Sequence, residues 1–237
     1  MNTEPQRPVA MITAASQGIG LAIAQELARR GYAVALLARS ARAIEEAAKL
    51  GGIGIEGSVA EPADLARFHE ATMTRFGAVD AVVNNTGHPP KGDLLSISDE
   101  DWRAGADLIL LNVIRLARLV VPGMQARRKG AFVNVSAFAA LSPDLAYPVS
   151  STLRAGLSAF TKLFAQRYAA DGIRMNAVLP GFVDSYPVDA ARVASIPMGR
   201  YGAVGELAQT VAYLLSDEAS YITGQSLLVD GGMVRGL

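Results

Sequence analysis

Two kinds of hydrophobic pattern alternate along almost the whole chain: short continuous apolar runs, and longer stretches with apolar residues every three or four positions. Val9-Ala-Met-Ile-Thr13 is the first short run and reads as a buried strand. Leu21, Ala24, Leu27 and Ala28 then fall on one helical face, and Gly31 ends that helix. Ala33–Ala38 reads as a second strand and residues 54–58 as a weaker third. Pro62 stands at the first turn of a helix running to about Phe76. Residues 80–84 form a fourth strand. Ser98 and Asp101 resemble a capping box ahead of a long apolar helix from Trp102 to about Val121. Residues 131–136 form a fifth strand, and Pro148 opens a helix that ends near Asp171 and Gly172. Residues 174–179 and 226–230 complete seven strands. Strands apolar on both faces and alternating with helices predict an α/β fold, a doubly wound, mainly parallel sheet covered on both sides.

Composition narrows the chemistry. The chain has 237 residues, 51% hydrophobic, enough for a large core, and no linker, repeat or low-complexity stretch divides it. One domain over 1–237 is expected, with 1–7 as a flexible arm and 184–200 as a loop on the substrate side. Lys+Arg and Asp+Glu are both 22, which argues against nucleic acid as a partner, because phosphate backbones demand a basic excess. Without cysteine there is neither disulfide nor thiolate chemistry, and two distant histidines, His69 and His88, make no metal-ligand spacing, so no metal is expected. The polar N-terminus lacks the apolar core of a signal peptide, and no apolar run reaches membrane-spanning length. The expectation is a soluble, cytoplasmic protein.

Chemistry-bearing residues cluster where strands end. Between the first strand and its helix lies Thr13-Ala-Ala-Ser16-Gln17-Gly18-Ile19-Gly20. Glycines there let backbone approach a pyrophosphate, whose charge a helix N-terminus favours; alone, such a segment is equally a tight turn. Asn84-Asn85-Thr86-Gly87 follows the fourth strand, and Asn176-Ala-Val-Leu-Pro180-Gly181 closes the sixth. Ile196-Pro-Met-Gly-Arg200 and the run from Ile222 to Gly232 follow. Taken together and in this order, these motifs resemble the short-chain dehydrogenase/reductase family over nearly the whole length. The resemblance implies a Rossmann-type fold, binding of NAD(H) or NADP(H), and interconversion of alcohols and carbonyls. It implies cofactor contacts from Thr13, Ser16 to Gly20, Ser58, Val59, Asn85 to Gly87, Pro180, Gly181 and Val183. It also implies twofold-symmetric dimers or tetramers, to which the apolar helices 102–121 and 148–171 and the C-terminal segment would contribute.

Several positions depart from that pattern. The family's first glycine is Ala14, which is tolerable if its φ is negative. The aspartate that the family sets against adenine matches Ser58. At the end of the second strand Arg39 and Ser40 stand where an acidic residue would take the ribose diol of NAD. They suit a 2′-phosphate, so NADP(H) is expected over NAD(H), unless Arg39 merely ends a strand in solvent.

The resemblance further implies an Asn-Ser-Tyr-Lys set, and all four positions differ: Ile109, Ala137, Ser150 and Arg154. Serine is far too weak an acid for a tyrosine's work, and Arg154, which could still hydrogen-bond the cofactor's ribose, holds its proton at neutral pH. Candidate substitutes are Tyr147, on the helical face of Ser150 and Arg154, and His88, beside the fourth-strand motif. Ser136 should point to the face opposite Ala137, His69 reads as surface, and His88 is equally a solvated loop residue. Three functions stay open: an NADP-dependent oxidoreductase with a rebuilt proton path, a nucleotide- or metabolite-binding pseudoenzyme or partner subunit, and a non-redox enzyme on the same scaffold.

Overall fold

The computed structural model describes residues 7–185 and 187–235. Seven strands form one sheet in the order β3-β2-β1-β4-β5-β6-β7, all neighbours parallel. They are β1 (Val9–Thr13), β2 (Ala33–Ala38), β3 (Ile53–Glu56), β4 (Ala81–Asn84), β5 (Gly130–Val135), β6 (Ile173–Pro180) and β7 (Ser226–Val229). Every residue of β1, β2, β4 and β5 is buried, as the unbroken apolar runs require. One face is covered by α1 (Gly18–Arg29), α2 (Arg42–Lys49) and α8 (Val204–Leu215), through Ile23, Leu27, Ala47 and Val211. The other face is covered by α3 (Pro62–Phe76), α5 (Asn112–Arg127) and α6 (Pro148–Tyr168), through Phe68, Leu116, Leu157 and Phe164. Two shorter helices, α4 (Asp99–Ala106) and α7 (Ala190–Ala194), complete the set.

Several boundaries differ from the pattern-based expectation. The third strand stops at Glu56 because Asp64 draws the chain aside: its Oδ2 accepts from the Ser58 amide at 2.8 Å. Ser98 does cap its helix, its Oγ accepting from the Asp101 amide at 3.1 Å. That helix begins at Asp99, passes through a π-helical turn (Asp107–Leu111), and continues through Pro122 to Arg127. The apolar stripe outlasts the proline, since Met124 is fully buried and lies where any side chain at Gly130 would collide with it. The expected loop 184–200 contains α7, capped by the Asp189 carboxylate on the Arg192 amide at 3.0 Å. His69 is half-buried rather than on the surface, and burial pushes its pKa down. Of the expected arm 1–7 only Arg7 falls within the described residues; it donates to the Gly31 and Tyr32 carbonyls at 3.0 and 2.8 Å.

Two polar devices hold the sheet. Between β4, β5 and α6, Asn84 Nδ2 donates to Asn134 Oδ1 at 2.8 Å, and Asn134 Nδ2 donates to Thr161 Oγ1 at 2.9 Å. On β6, the Arg174 guanidinium donates to the carbonyls of Leu214 (2.7 Å), Ser216 (2.9 Å) and Ile222 (3.3 Å). It thereby satisfies carbonyls that the end of α8 leaves open. Arg174→Met should lower stability by about 2–3 kcal/mol, because partly buried carbonyls lose a charged donor. Chemical denaturation measures this, and a change under about 0.5 kcal/mol would show the carbonyls re-satisfied by water.

Candidate functional site

The strand order reverses between β1 and β4, and the carboxyl ends of those strands open a crevice there. Its floor is a reciprocal clamp: Thr13 Oγ1 donates to the Asn85 carbonyl at 2.7 Å and accepts from the Asn85 amide at 2.9 Å. Asn85 Nδ2 donates to the Ala14 carbonyl at 3.1 Å. Ala14 has φ +47°, so the condition of a negative φ under which alanine is readily tolerated there is not met. Its carbonyl is held by Asn85 from one side and crowded by Gly20 from the other, which fixes this left-handed geometry at about 1–2 kcal/mol. A Cβ at Gly20 would lie 2.4 Å from the Ala14 oxygen and 2.8 Å from Asn85 Nδ2. Only glycine fits. Gln17 precedes α1 without a side-chain cap, so the first amides of a 12-residue helix face the crevice uncapped.

The other candidates fall around this turn in two groups. Arg39 and Ser40 are exposed at the end of β2, and Arg39 has no side-chain hydrogen bond or ion pair among the described residues. Ser58 Oγ accepts from the Ala60 amide at 3.2 Å, which leaves its proton to donate, and Val59 is buried beneath. Nothing in the protein approaches the Cβ position of Gly87, whereas a Cβ at Gly181 would meet Asp230 at 2.9 Å. Gly181 therefore has a packing reason of its own. Pro180 ends β6, and Val183, nearly buried, pairs with Gly202.

Ser185 escaped the sequence reading. Its Cβ is 3.5 Å from the Cβ position of Gly18, and its hydroxyl is buried without a partner. The only signal was distance along the chain from the Pro180-Gly181 motif, which does not show that the loop folds back over the glycine turn. Asp64 was missed for the same reason. It accepts from the Ser58 amide and from Arg67 Nη2, and these bonds, with Ser58 first, hold its carboxyl below the ordinary range.

At the inner end, α6 starts with Pro148 directly after Tyr147. Ser150 and Arg154 are both buried one turn apart, Arg154 Nε donating to Ser150 Oγ at 3.0 Å and Nη1 to the Val135 carbonyl at 3.1 Å. Burial lowers the guanidinium pKa to about 10. Ile109 is fully buried in the π turn, and Ala137 is half-buried just past β5. The Oγ of Ser136 and the Oγ1 of Thr86 are buried without hydrogen-bond partners. His88 is exposed to solvent; partial desolvation first, then Lys91 and Arg154, push its pKa down. Lys91 Nζ sits 4.8 Å above the Tyr147 ring. Outward from Tyr147 opens a cavity of about 630 Å³ walled by Phe138, Phe182, Arg192 and Arg235. Among the described residues no group of three or more His, Asp or Glu could hold a metal ion, and no helix is long and apolar enough to cross a membrane.

A seven-stranded parallel sheet, helices on both faces and a glycine turn at the switch point define a Rossmann-type protein. Residues 13–234 match the family model described as enoyl-(acyl carrier protein) reductase. The 3-oxoacyl-[acyl-carrier-protein] reductase FabG of Escherichia coli K12 is 36% identical over 235 residues, 95% of this chain and 96% of that protein. FabG of Staphylococcus aureus Mu50 is 35% identical over 240 residues, 94% and 97% of the two chains. The crystal structure of L-sorbose reductase from Gluconobacter frateurii, complexed with NADPH and L-sorbose, superposes with a TM-score of 0.93 at 31% identity, covering 100% of both chains. The chain belongs to the short-chain dehydrogenase/reductase family, as its motifs implied.

Proposed function

We propose that the crevice holds NADP(H) and that the family's usual carbonyl reduction is lost or severely slowed in it. The cofactor part is supported by the fit of these residues to a dinucleotide: a turn that excludes any side chain at Gly20, uncapped amides at α1, and the unpartnered Ser185 hydroxyl beside Gly18. Arg39, without an ion pair among the described residues, is free to meet a 2′-phosphate. The L-sorbose reductase is known as a complex with NADPH. The same cleft, read as a single domain over 1–237, takes cofactor contacts from Thr13, Ser16, Gln17, Ile19, Ser40, Ser58, Asn85 and Thr86.

NADPH, when bound, supplies a hydride. What the chain must then do is deliver a proton to the resulting alkoxide. The observation that carries the reading is the pair Ser150–Arg154: an alcohol accepting from a guanidinium at 3.0 Å, where the family has a phenol tuned by an amine. Neither member releases a proton near neutral pH, and Ala137 and Ile109 bring no polar atom to the carbonyl or to a water relay. The test is to titrate the purified protein with NADPH and NADH by calorimetry, then follow NADPH oxidation with a panel of aldehydes, ketones and quinones. Tight NADPH binding with negligible oxidation is expected; robust oxidation would overturn the reading.

A second reading keeps redox activity with Tyr147 as the proton donor. It is favoured by one observation, the Lys91 ammonium over the ring at the mouth of the cavity. In that case Tyr147→Phe abolishes the oxidation and His88→Ala leaves it in place.

Cofactor preference follows from Arg39. Arg39→Ala should weaken NADPH binding by about tenfold, the worth of one charge-assisted contact to phosphate, and leave NADH unchanged. Equal losses for both nucleotides would remove Arg39 from the site. A twofold-symmetric homodimer or homotetramer is also proposed, since Leu163 on α6 and Leu227 on β7 are 63% and 43% exposed. A stable monomer by light scattering at micromolar concentration would contradict it. A soluble, cytoplasmic protein that binds no nucleic acid remains the expected setting.

A further inference from the structure

Arg154 is a buried cation without a counter-charge. It is 6% exposed, and its two hydrogen bonds go to neutral acceptors, Ser150 Oγ and the Val135 carbonyl. A guanidinium carries five N–H donors, so most of its hydrogen-bonding capacity is unused. Among the described residues it forms no ion pair, and burial lowers its pKa. A charge taken out of water in this way is strongly unfavourable unless something arrives to compensate it.

Two further groups at the same place lack partners. Asn84 pairs with Asn134 in the sheet, and Thr86 and Ser136 each follow two residues later, past the ends of those neighbouring strands. Val133 and Val135 face the α1 side, whereas Phe132 and Asn134 face α6. Alternation puts Ser136 on the α6 side with Arg154. The hydroxyls of both Ser136 and Thr86 are buried and unpartnered.

The surroundings add positive charge. The two charges felt by His88 are Lys91 and Arg154. Lys91 lies over the Tyr147 ring at the edge of the cavity, whose lining among the described residues includes Arg192 and Arg235 and one carboxylate, Asp144. One oxygen of Asp144 is already taken by the Ala146 amide at 2.8 Å. Phe138, Tyr147 and Phe182 share the lining with small and aliphatic residues, Phe138 and Phe182 being in edge contact at 5.7 Å.

We propose that the cleft takes a carboxylate-bearing small molecule, its carboxylate on the unused donors of Arg154 and its apolar body against Tyr147, Phe138 and Phe182. A planar carboxylate matches the planar edge of a guanidinium. The location rests on the reading of this cleft as the substrate side of the nucleotide site; the charge argument does not require a nucleotide.

Benzoate and its neutral isostere benzamide are the probes, titrated by calorimetry into the protein with and without saturating NADPH. Benzoate should bind at least about tenfold more tightly than benzamide, the worth of a hydrogen bond to a charged group. Arg154→Met should erase that difference and Arg154→Lys retain part of it. Lys91→Met, at an exposed position, should weaken benzoate by about threefold and leave benzamide unchanged, as for a partly screened charge. Equal affinities of the parent protein for the two probes overturn the proposal, as does a preference for benzoate that survives Arg154→Met. If Arg154→Met does not fold, the parent comparison and Lys91→Met decide. The two readings fail separately: without NADPH binding but with benzoate discrimination the cofactor reading falls, and with the reverse result this one does.

Discussion

A chain carrying Ile109→Asn, Ala137→Ser, Ser150→Tyr and Arg154→Lys together should oxidise NADPH with simple ketones about 10²–10⁴ times faster than its parent, the usual contribution of positioned acid–base catalysis. The expectation rests on where these residues sit. Ser150 and Arg154 are one turn apart on the buried face of α6 and already within hydrogen-bond reach. Ala137 follows β5, whose end Arg154 holds through the Val135 carbonyl. The exchange replaces side chains on a backbone that the family shares. Each change alone should do little, because groups that act as a unit lose nearly all their effect when any one is missing. Steady-state assays of the four single variants and the combined one test this. A combined variant that binds NADPH yet stays inactive would place the defect elsewhere, in the cavity or the cofactor pose.

Gly20→Ala should cost about 1–3 kcal/mol of stability and remove NADPH binding, since the added methyl overpacks a site that has nowhere to relax. The collision is with a backbone oxygen, Ala14 O at 2.4 Å, and with Asn85 Nδ2 at 2.8 Å, which is itself bonded to that oxygen. Relief requires breaking the clamp between β1 and β4. Gly87→Ala is the natural companion experiment, because no protein atom lies within 4 Å of its Cβ position. Its stability should stay within about 0.5 kcal/mol of the parent. If the dinucleotide runs over Gly87, however, its NADPH affinity should fall. Thermal melts and calorimetry separate the two effects, and a Gly20→Ala protein that binds NADPH normally would show the turn to be unrelated to the cofactor.

Much of this was legible from the chain because the strands are continuous apolar runs and the punctuation is strong. Pro62 and Pro148 open their helices and Ser98 caps the start of α4, each by local chemistry that needs no tertiary information. The π turn at Asp107–Leu111 was not legible: its residues continue the helical apolar pattern, and the widened turn lies against α6, a contact distant in sequence. The conformation of Ala14 was not legible because the left-handed geometry is held by Asn85, seventy-one residues away, and by Gly20. Residue types at Ile109, Ala137, Ser150 and Arg154 carried the proposal about the catalytic groups. That Arg154 would be buried without a carboxylate, and that Ser185 would return to Gly18, depend on contacts that only the folded chain makes.

The polar link through Asn84, Asn134 and Thr161 bears on how the sheet chooses its alignment. β1, β2, β4 and β5 are composed almost wholly of interchangeable aliphatic residues buried on both sides, so burial alone barely distinguishes correct pairing from a slipped one. In a parallel sheet buried on both faces, sliding β4 along β5 moves one valine past another at little cost. It also carries two amide side chains into hydrocarbon without partners. The asparagine pair thus acts as an indexing notch for the centre of the sheet. Replacing both with aliphatic residues could leave overall stability nearly intact while allowing misaligned, aggregation-prone assemblies to compete during folding.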